Sequence, residues 1–115
     1  MPEAVEEIKE NVQYNEVDVK ISQGDANRVL YTTDPWDVID VDPYGSIAPF
    51  LESAIYNVKN HGLICATSTD MATLCGNHPE TCFYKYAGTA IGSHSCHELA
   101  LRLLLHQMRT TANKY

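Results

Sequence analysis

Two short apolar runs on either side of a helix-like segment constrain this chain most. Residues 36–41 read Trp-Asp-Val-Ile-Asp-Val and residues 63–67 read Leu-Ile-Cys-Ala-Thr, which is the composition of buried strands. Between them a helix is predicted to begin near Pro49, because proline suits the first turn of a helix. The order strand, helix, strand predicts an α/β fold with a mostly parallel sheet, since parallel neighbours need a crossover connection.

The amino-side third is predicted to add two helices and a strand. Residues 3–14 carry apolar side chains at helical spacing and acids early, which predicts a helix. Residues 17–21 alternate between apolar and polar side chains, as half-exposed strands do. Residues 24–27 predict a turn into a short helix that ends at Asp34-Pro35.

The carboxyl-side third is predicted to hold a long loop and a long helix. Residues 60–62 predict a turn, and residues 71–92 are rich in turn formers and predict an irregular segment of functional length. Residues 93–111 are apolar on most sides, which predicts a well-buried helix. No repeat or linker divides the chain, so residues 1–115 are treated as one unit without an internal boundary.

The sharpest candidate for chemistry is Asp42-Pro43-Tyr44-Gly45, which directly follows a predicted buried strand. The Asp42 carboxylate and the Pro43 carbonyl could accept the N–H groups of an exocyclic amine and so orient its lone pair. Tyr44 could stack on a base, and Gly45 lets the backbone approach closely. The alternative is a plain turn, because Asp, Pro and Gly are ordinary turn residues.

Two further acids follow predicted strands. Ligands of parallel sheets bind beyond the carboxyl ends of the strands, which makes Asp25, Asp42 and Asp70 candidates for one crevice. Asp25, with Ala26 after it, is a candidate for cofactor binding, and Asp70 is a candidate for substrate binding. Each acid has a structural alternative, since Asp25 could cap the following helix and Asp70 could cap a turn.

Charge and cysteine usage limit the classes of function. The formal net charge of −7 argues against nucleic-acid binding over the whole surface, although it leaves room for a local basic patch. No apolar run approaches the roughly 18 residues of a membrane span, and no signal peptide begins the chain, so an intracellular protein is expected. Cys96 and His97, with His94 nearby, fit no common zinc spacing, so no metal site is predicted.

Several motifs in order resemble the tRNA guanine-26 N2-dimethyltransferase family. The matching stretches are residues 36–46, 62–65, 69–72, 74–77, 80–86 and 96–102, with His106 and a weaker match at 25–27. The resemblance implies a partial class I methyltransferase fold, a Rossmann-like doubly wound sheet that is mostly parallel. It also implies S-adenosylmethionine as methyl donor and tRNA as substrate.

The resemblance assigns roles to individual residues. It implies that Asp42 is the catalytic acid, with Pro43 and Tyr44 beside it, and that Asp42 also lies against the cofactor. It implies that Asp25 and Ala26 contact the adenine of the cofactor. The target base would have to leave its stack to reach such a pocket.

Departures from the family pattern set a limit on this interpretation. Ile47-Ala48 stands in place of the residues expected after the catalytic loop, and no G-x-G-x-x-G motif is present. The first two strands of the family sheet and its RNA-binding domain have no counterpart. The chain is therefore expected to be the carboxyl-side part of a catalytic domain that neither folds stably nor methylates alone. Two alternatives stay open: another amino-methyltransferase acting on a base or an amide, or a non-catalytic remnant.

Overall fold

The computed structural model describes residues 2–115, with side chains from residue 3 onward. Within this range the chain forms six helices and two strands in an α/β arrangement. In chain order these are α1 (Pro2–Tyr14), α2 (Ala26–Thr32), β1 (Trp36–Val41), α3 (Ala48–Asn57), β2 (Val58–Ala66), α4 (Met71–Leu74), α5 (Pro79–Tyr86) and α6 (Cys96–Ala112).

The two strands pair in parallel, with α3 as the crossover between them. Ile39 pairs with Ile64 and Val41 with Ala66, so both strands end at the same edge of the sheet. Pro49 lies in the first turn of α3, where its missing N–H costs no hydrogen bond. The predictions of a strand at 36–41, a parallel sheet and a helix beginning near Pro49 are confirmed.

The start of β2 is irregular. Trp36 pairs with Val58 and Val38 with Leu63, so six residues of β2 (58–63) lie opposite three residues of β1 (36–38). The predicted turn at 60–62 is therefore a bulge inside one long strand rather than a turn before a short one. The Lys59 ammonium reaches across it to both carboxylate oxygens of Asp37, at 2.9 Å each.

The hydrophobic core lies between the helices on the carboxyl side of the chain. Helix α3 packs against α2 and α6, and α6 packs against α4 and α5. The fully buried core consists of Ile47, Leu51, Leu74, Cys82, Tyr86, Ala90 and Ala100. Within the described residues, none of the helices has the length and apolar character that crossing a membrane requires.

The predicted strand at 17–21 is wrong for the structure of this chain. These residues follow α1 without regular secondary structure, and Val17 and Val19 are exposed. A strand exists only where a neighbour accepts and donates its backbone hydrogen bonds, and within residues 2–115 the sheet contains β1 and β2 alone. The alternation of side chains is present, but the partner that would make it a strand is not among these residues.

Two predictions for the carboxyl-side third also need correction. Residues 71–92 hold α4 and α5 rather than an irregular loop, and the proline and acid that begin α5 are ordinary helix-start signals. Helix α6 begins at Cys96 rather than residue 93 and is less buried than predicted, because Leu101 and Leu105 are exposed. Helices α3, α4 and α5 cover only part of the surface of α6, so its other apolar side chains face outward.

Candidate functional site at the carboxyl edge of the sheet

The loops that follow the two strands are joined by hydrogen bonds. The Thr67 amide donates to the Val41 carbonyl at 3.0 Å, which continues the ladder past the end of β2. The Gly45 amide donates to Thr69 Oγ1 at 3.0 Å, and the Thr69 amide donates to the Gly45 carbonyl at 2.8 Å. Gly45 has a φ of 99°, a conformation that glycine adopts without steric cost. The second loop therefore fixes the position of Asp42-Pro43-Tyr44-Gly45.

A buried tyrosine connects both loops to the core. Tyr86, at the end of α5, has no exposed surface, and its hydroxyl donates to Asp70 Oδ1 at 2.7 Å. The same hydroxyl lies 2.7 Å from Ser46 Oγ and 3.2 Å from Ser68 Oγ. The Tyr86 hydroxyl is thus the centre of a network that holds the loop after β1 against the loop after β2.

The electrostatics of this network favour a charged Asp70 and a neutral Tyr86. Burial alone would raise the pKa of Asp70, but hydrogen bonds from Tyr86, Ser68 and Lys85 outweigh it and lower the pKa below its ordinary value. Burial, with the neighbouring Asp70 carboxylate, raises the pKa of Tyr86 to about 12. Tyr86 therefore remains a hydrogen-bond donor at any physiological pH.

A cavity of about 390 Å³ is bordered by the loop after β1. Its wall contains Ala26 from the start of α2, and Asp42 and Pro43 from the loop. The remaining wall is mostly apolar and comes from α2, β1 and α3. These wall residues include Val29, Leu30, Ile39, Val41 and Phe50.

The residues predicted to form the site lie in different environments: the cavity wall, the N-cap of α2 and the exposed surface. Ala26, Asp42 and Pro43 share the cavity wall. Asp25 is not among the wall residues, although its neighbours Gly24 and Ala26 are. It caps α2, since its Oδ1 accepts from the Asn27 amide at 2.9 Å. Tyr44 is fully exposed, which leaves both faces of its ring accessible.

Asp70 lies outside the cavity wall. Its Oδ1 accepts from Tyr86 and Ser68, and its Oδ2 lies 3.3 Å from the Lys85 ammonium. Its contacts are therefore with the network that supports the loops. The prediction that Asp70 contacts a substrate stays a prediction.

Sequence reasoning missed the residues that support the loop after β1, Asp42-Pro43-Tyr44-Gly45. Tyr86, Ser46 and Thr69 are 17 to 40 residues apart along the chain, so no local pattern links them. All three lie within stretches of the family resemblance, and Tyr86 carried a further signal. A buried tyrosine hydroxyl needs a hydrogen-bond partner, which points to a polar network.

Comparison with known proteins gives a consistent result. A family model described as N2,N2-dimethylguanosine tRNA methyltransferase matches residues 1–115. The chain is 48% identical over 118 residues to the human tRNA (guanine(26)-N(2))-dimethyltransferase, covering 97% of this chain and 18% of that protein. It is 49% identical over 116 residues to the Schizosaccharomyces pombe enzyme of the same name, covering 97% of this chain and 21% of that protein. The chain thus spans about a fifth of the length of these relatives.

A solved structure supports the fold. Trm1 from Pyrococcus horikoshii, in complex with S-adenosyl-L-methionine, superimposes with a TM-score of 0.86 at 33% sequence identity. The match covers 97% of this chain and 35% of the Pyrococcus chain, so these residues adopt part of the Trm1 methyltransferase fold. The chain belongs to the N2,N2-dimethylguanosine tRNA methyltransferase family.

Proposed function

We propose that this chain is the carboxyl-side part of a catalytic domain that methylates the exocyclic N2 amine of guanine 26 in tRNA. The methyl donor is S-adenosylmethionine, and two transfers give dimethylguanosine. The observation that carries the proposal is that Ala26, Asp42 and Pro43 line one cavity. The loop that carries Asp42 is fixed by the hydrogen bond from the Gly45 amide to Thr69. Names of relatives and the S-adenosyl-L-methionine in the Pyrococcus structure support the choice of substrate and donor. A tRNA substrate places the reaction inside the cell.

The cavity suits the adenosine end of the cofactor. Apolar side chains of Val29, Ile39 and Phe50 offer surfaces against which a flat ring can pack. Asp25 uses one carboxylate oxygen to cap α2, and a carboxylate has further acceptor positions for an adenine amine. Capping and cofactor binding are therefore compatible at Asp25, with the Ala26 backbone close to the ring. S-adenosylmethionine, when bound, supplies a methyl group on a positively charged sulfur, and the sulfur leaves as a neutral thioether.

The catalytic loop supplies acceptors for the target amine. The lone pair of a guanine amine is delocalised into the ring, so the amine needs orientation before it can attack. The Asp42 carboxylate and the Pro43 carbonyl accept its N–H groups and direct the lone pair to the methyl carbon. The N–C bond forms as the C–S bond of the donor breaks, and the Asp42 carboxylate takes up the proton that the methylated amine releases. Tyr44, with both ring faces exposed, stacks on the extruded base. The transition state is favoured through position and charge rather than through a covalent intermediate.

Gly45 and Asp70 complete the substrate side of the site in this proposal. Gly45 is held by two hydrogen bonds to Thr69, so its backbone offers a fixed surface to the base. Asp70 acts through Tyr86 and Ser68, which keep the two loops together. We therefore assign Asp70 a positioning role in substrate binding rather than a direct contact.

The test is methyl transfer from labelled S-adenosylmethionine to unmodified tRNA, using the longest natural protein that contains this chain. Asp42→Ala is expected to lower the rate at least about 100-fold, the usual scale for a positioned acid or base, and to leave cofactor binding measurable. Asp34→Ala is the matched control, because Asp34 is exposed and lies outside the cavity wall. The control is expected to retain the wild-type rate.

The outcomes separate the competing interpretations. Label on a guanine N2 that disappears with Asp42→Ala supports the proposal. A protein that binds the cofactor but labels no tRNA would be another amino-methyltransferase acting on a different base or an amide. A protein that binds no cofactor would be a non-catalytic member of the family.

A further inference from the structure

Three metal-binding side chains converge where α4 meets α6, away from the cavity. The Sγ atoms of Cys75 and Cys96 and a ring nitrogen of His97 all lie within 4.8 Å of one another. Cys75 Sγ is 4.0 Å from His97 Nδ1. Cys75 directly follows α4, and Cys96 and His97 are the first residues of α6. His94, which sequence spacing grouped with Cys96 and His97, is not part of this cluster.

The backbone that carries these side chains is closely packed. Helix α4 packs against α6, and Gly76 follows Cys75 with a φ of 96°. A Cβ atom on Gly76 would lie only 2.6 Å from the Gly92 amide nitrogen, so the two segments touch backbone to backbone. The residue after Cys75 is therefore packed directly against the backbone of the segment that leads into α6.

The chemistry of the donors selects a class of ion. Two thiolates and an imidazole suit Zn²⁺ and other soft cations, whereas Mg²⁺ and Ca²⁺ prefer oxygen ligands. Zinc bond lengths place tetrahedral S and N ligands roughly 3.5–3.8 Å apart, so the present arrangement needs only small side-chain adjustments. A divalent cation between the two sulfur atoms would balance the negative charge of two thiolates, which otherwise repel each other.

We propose that Cys75, Cys96 and His97 bind one Zn²⁺ ion, with water at the fourth position. The ion ties the end of α4 to the beginning of α6. Helix α4 begins at the residue after Asp70, so the site stabilises the same part of the molecule as the network around Tyr86. The proposal rests on this cluster alone and is independent of the proposed methyl transfer.

The first experiment is titration of the reduced, metal-free full-length protein with Co²⁺, which reports thiolate ligands by its charge-transfer absorption. Cys75→Ser and His97→Gln are expected each to remove one bound cobalt and its thiolate absorption relative to wild type. Cys65→Ser and His106→Gln are the matched controls, since Cys65 and His106 are exposed and lie outside the cluster. Comparison with each variant separates this site from any other metal site in the protein.

A second measurement needs no substitution. Thiol alkylation of the wild-type protein, mapped by mass spectrometry, is expected to slow at least about tenfold at Cys75 and Cys96 when Zn²⁺ is added. Cys65 serves as the internal control and is expected to react at the same rate with and without zinc. Unchanged alkylation of Cys75 and Cys96, or cobalt absorption that survives Cys75→Ser, would overturn the proposal.

Discussion

The carboxyl-side helices and the amino-side segment of this chain differ sharply in how they bury apolar side chains. Leu51 in α3 is 2% exposed and lies in a core that α4, α5 and α6 also line. Val19, in the segment between α1 and α2, is 53% exposed, and Ile8 and Val17 are exposed as well. Both regions have regular apolar patterns in sequence, but only one of them finds partners within these residues.

This difference shows which part of the chain stabilises the candidate site. The loop after β1 is held by hydrogen bonds of Gly45 to Thr69 and of Ser46 to Tyr86, and Tyr86 belongs to the carboxyl-side core. The amino-side segment contributes Ala26 to the cavity wall, but its apolar residues Val17 and Val19 are not covered by the core. We propose that strands outside this chain cover Val17 and Val19, consistent with the chain spanning about a fifth of its relatives.

The largest expected effect is the loss of core packing at Leu51. In the longest natural protein that contains this chain, Leu51→Ala should lower the free energy of unfolding by about 2–5 kcal/mol, because it leaves a cavity in a closed core. Urea unfolding measures the change. Leu101→Ala is the matched control, since Leu101 is 58% exposed on α6 and an exposed substitution costs within about 0.5 kcal/mol.

Urea unfolding of Val19→Ala, again in the longer protein, tests whether the exposed amino-side segment is covered there. Burial of two methyl groups by a neighbouring strand would make this substitution cost about 1–2 kcal/mol. A cost that large supports a partner strand from outside these residues. A change within about 0.5 kcal/mol would mean that Val19 is as exposed in the longer protein as it is here, and would contradict the proposed partner.

An intermediate effect is expected at the polar centre of the packed region. Tyr86→Phe removes the hydroxyl that contacts Asp70, Ser46 and Ser68, which should cost about 1–3 kcal/mol, because their buried polar groups lose a partner. Methyl transfer should fall mainly in kcat, since the loop that carries Asp42 loses its support. Tyr84→Phe is the control, because Tyr84 is 90% exposed, and it should change neither quantity.

The pH dependence of that variant has a definite sign. Folding raises the pKa of Tyr86 from 10.0 to about 12, so its stabilising contribution is complete below pH 10 and is lost as pH rises towards 12. The difference in urea midpoint between wild type and Tyr86→Phe should therefore shrink over that range. The two proteins must be compared because burial also raises the pKa of Tyr115. Titration of Tyr115 affects both proteins alike and cancels in the difference. A constant difference across pH 9 to 12 would show that Tyr86 does not titrate as described.

Local patterns were enough to predict the elements whose partners are close in sequence. The order β1, α3, β2 and the short helix after Asp25 followed from apolar runs, prolines and capping residues. The predicted strand at 17–21 failed because a strand depends on a distant neighbour, which no local pattern encodes. The prediction of an irregular segment at 71–92 was wrong because its many turn-forming residues outweighed the helix-start signal at Pro79.

The same distinction applies to the candidate site. Asp42, Pro43 and Asp25 were predicted from their places after strand-like segments, and the resemblance assigned Asp25 and Ala26 a contact with the cofactor. The network at Tyr86 and the cluster of Cys75 with His97 were not found, because each joins residues at least 16 apart along the chain. Hydrogen bonds and ligand geometry across such separations appear only after the chain has folded.

The weakest effect is expected for the exposed ion pair between Lys59 and Asp37 at the bulge of β2. Lys59 contacts both Asp37 oxygens at 2.9 Å, but the Lys59 side chain is half exposed, so water and salt screen the pair. Lys59→Met should therefore cost less than about 1 kcal/mol at low ionic strength and still less in 1 M salt. A larger cost that salt does not reduce would mean that the bulge is covered by residues outside this chain, which would extend the buried region of the longer protein to both ends of β1.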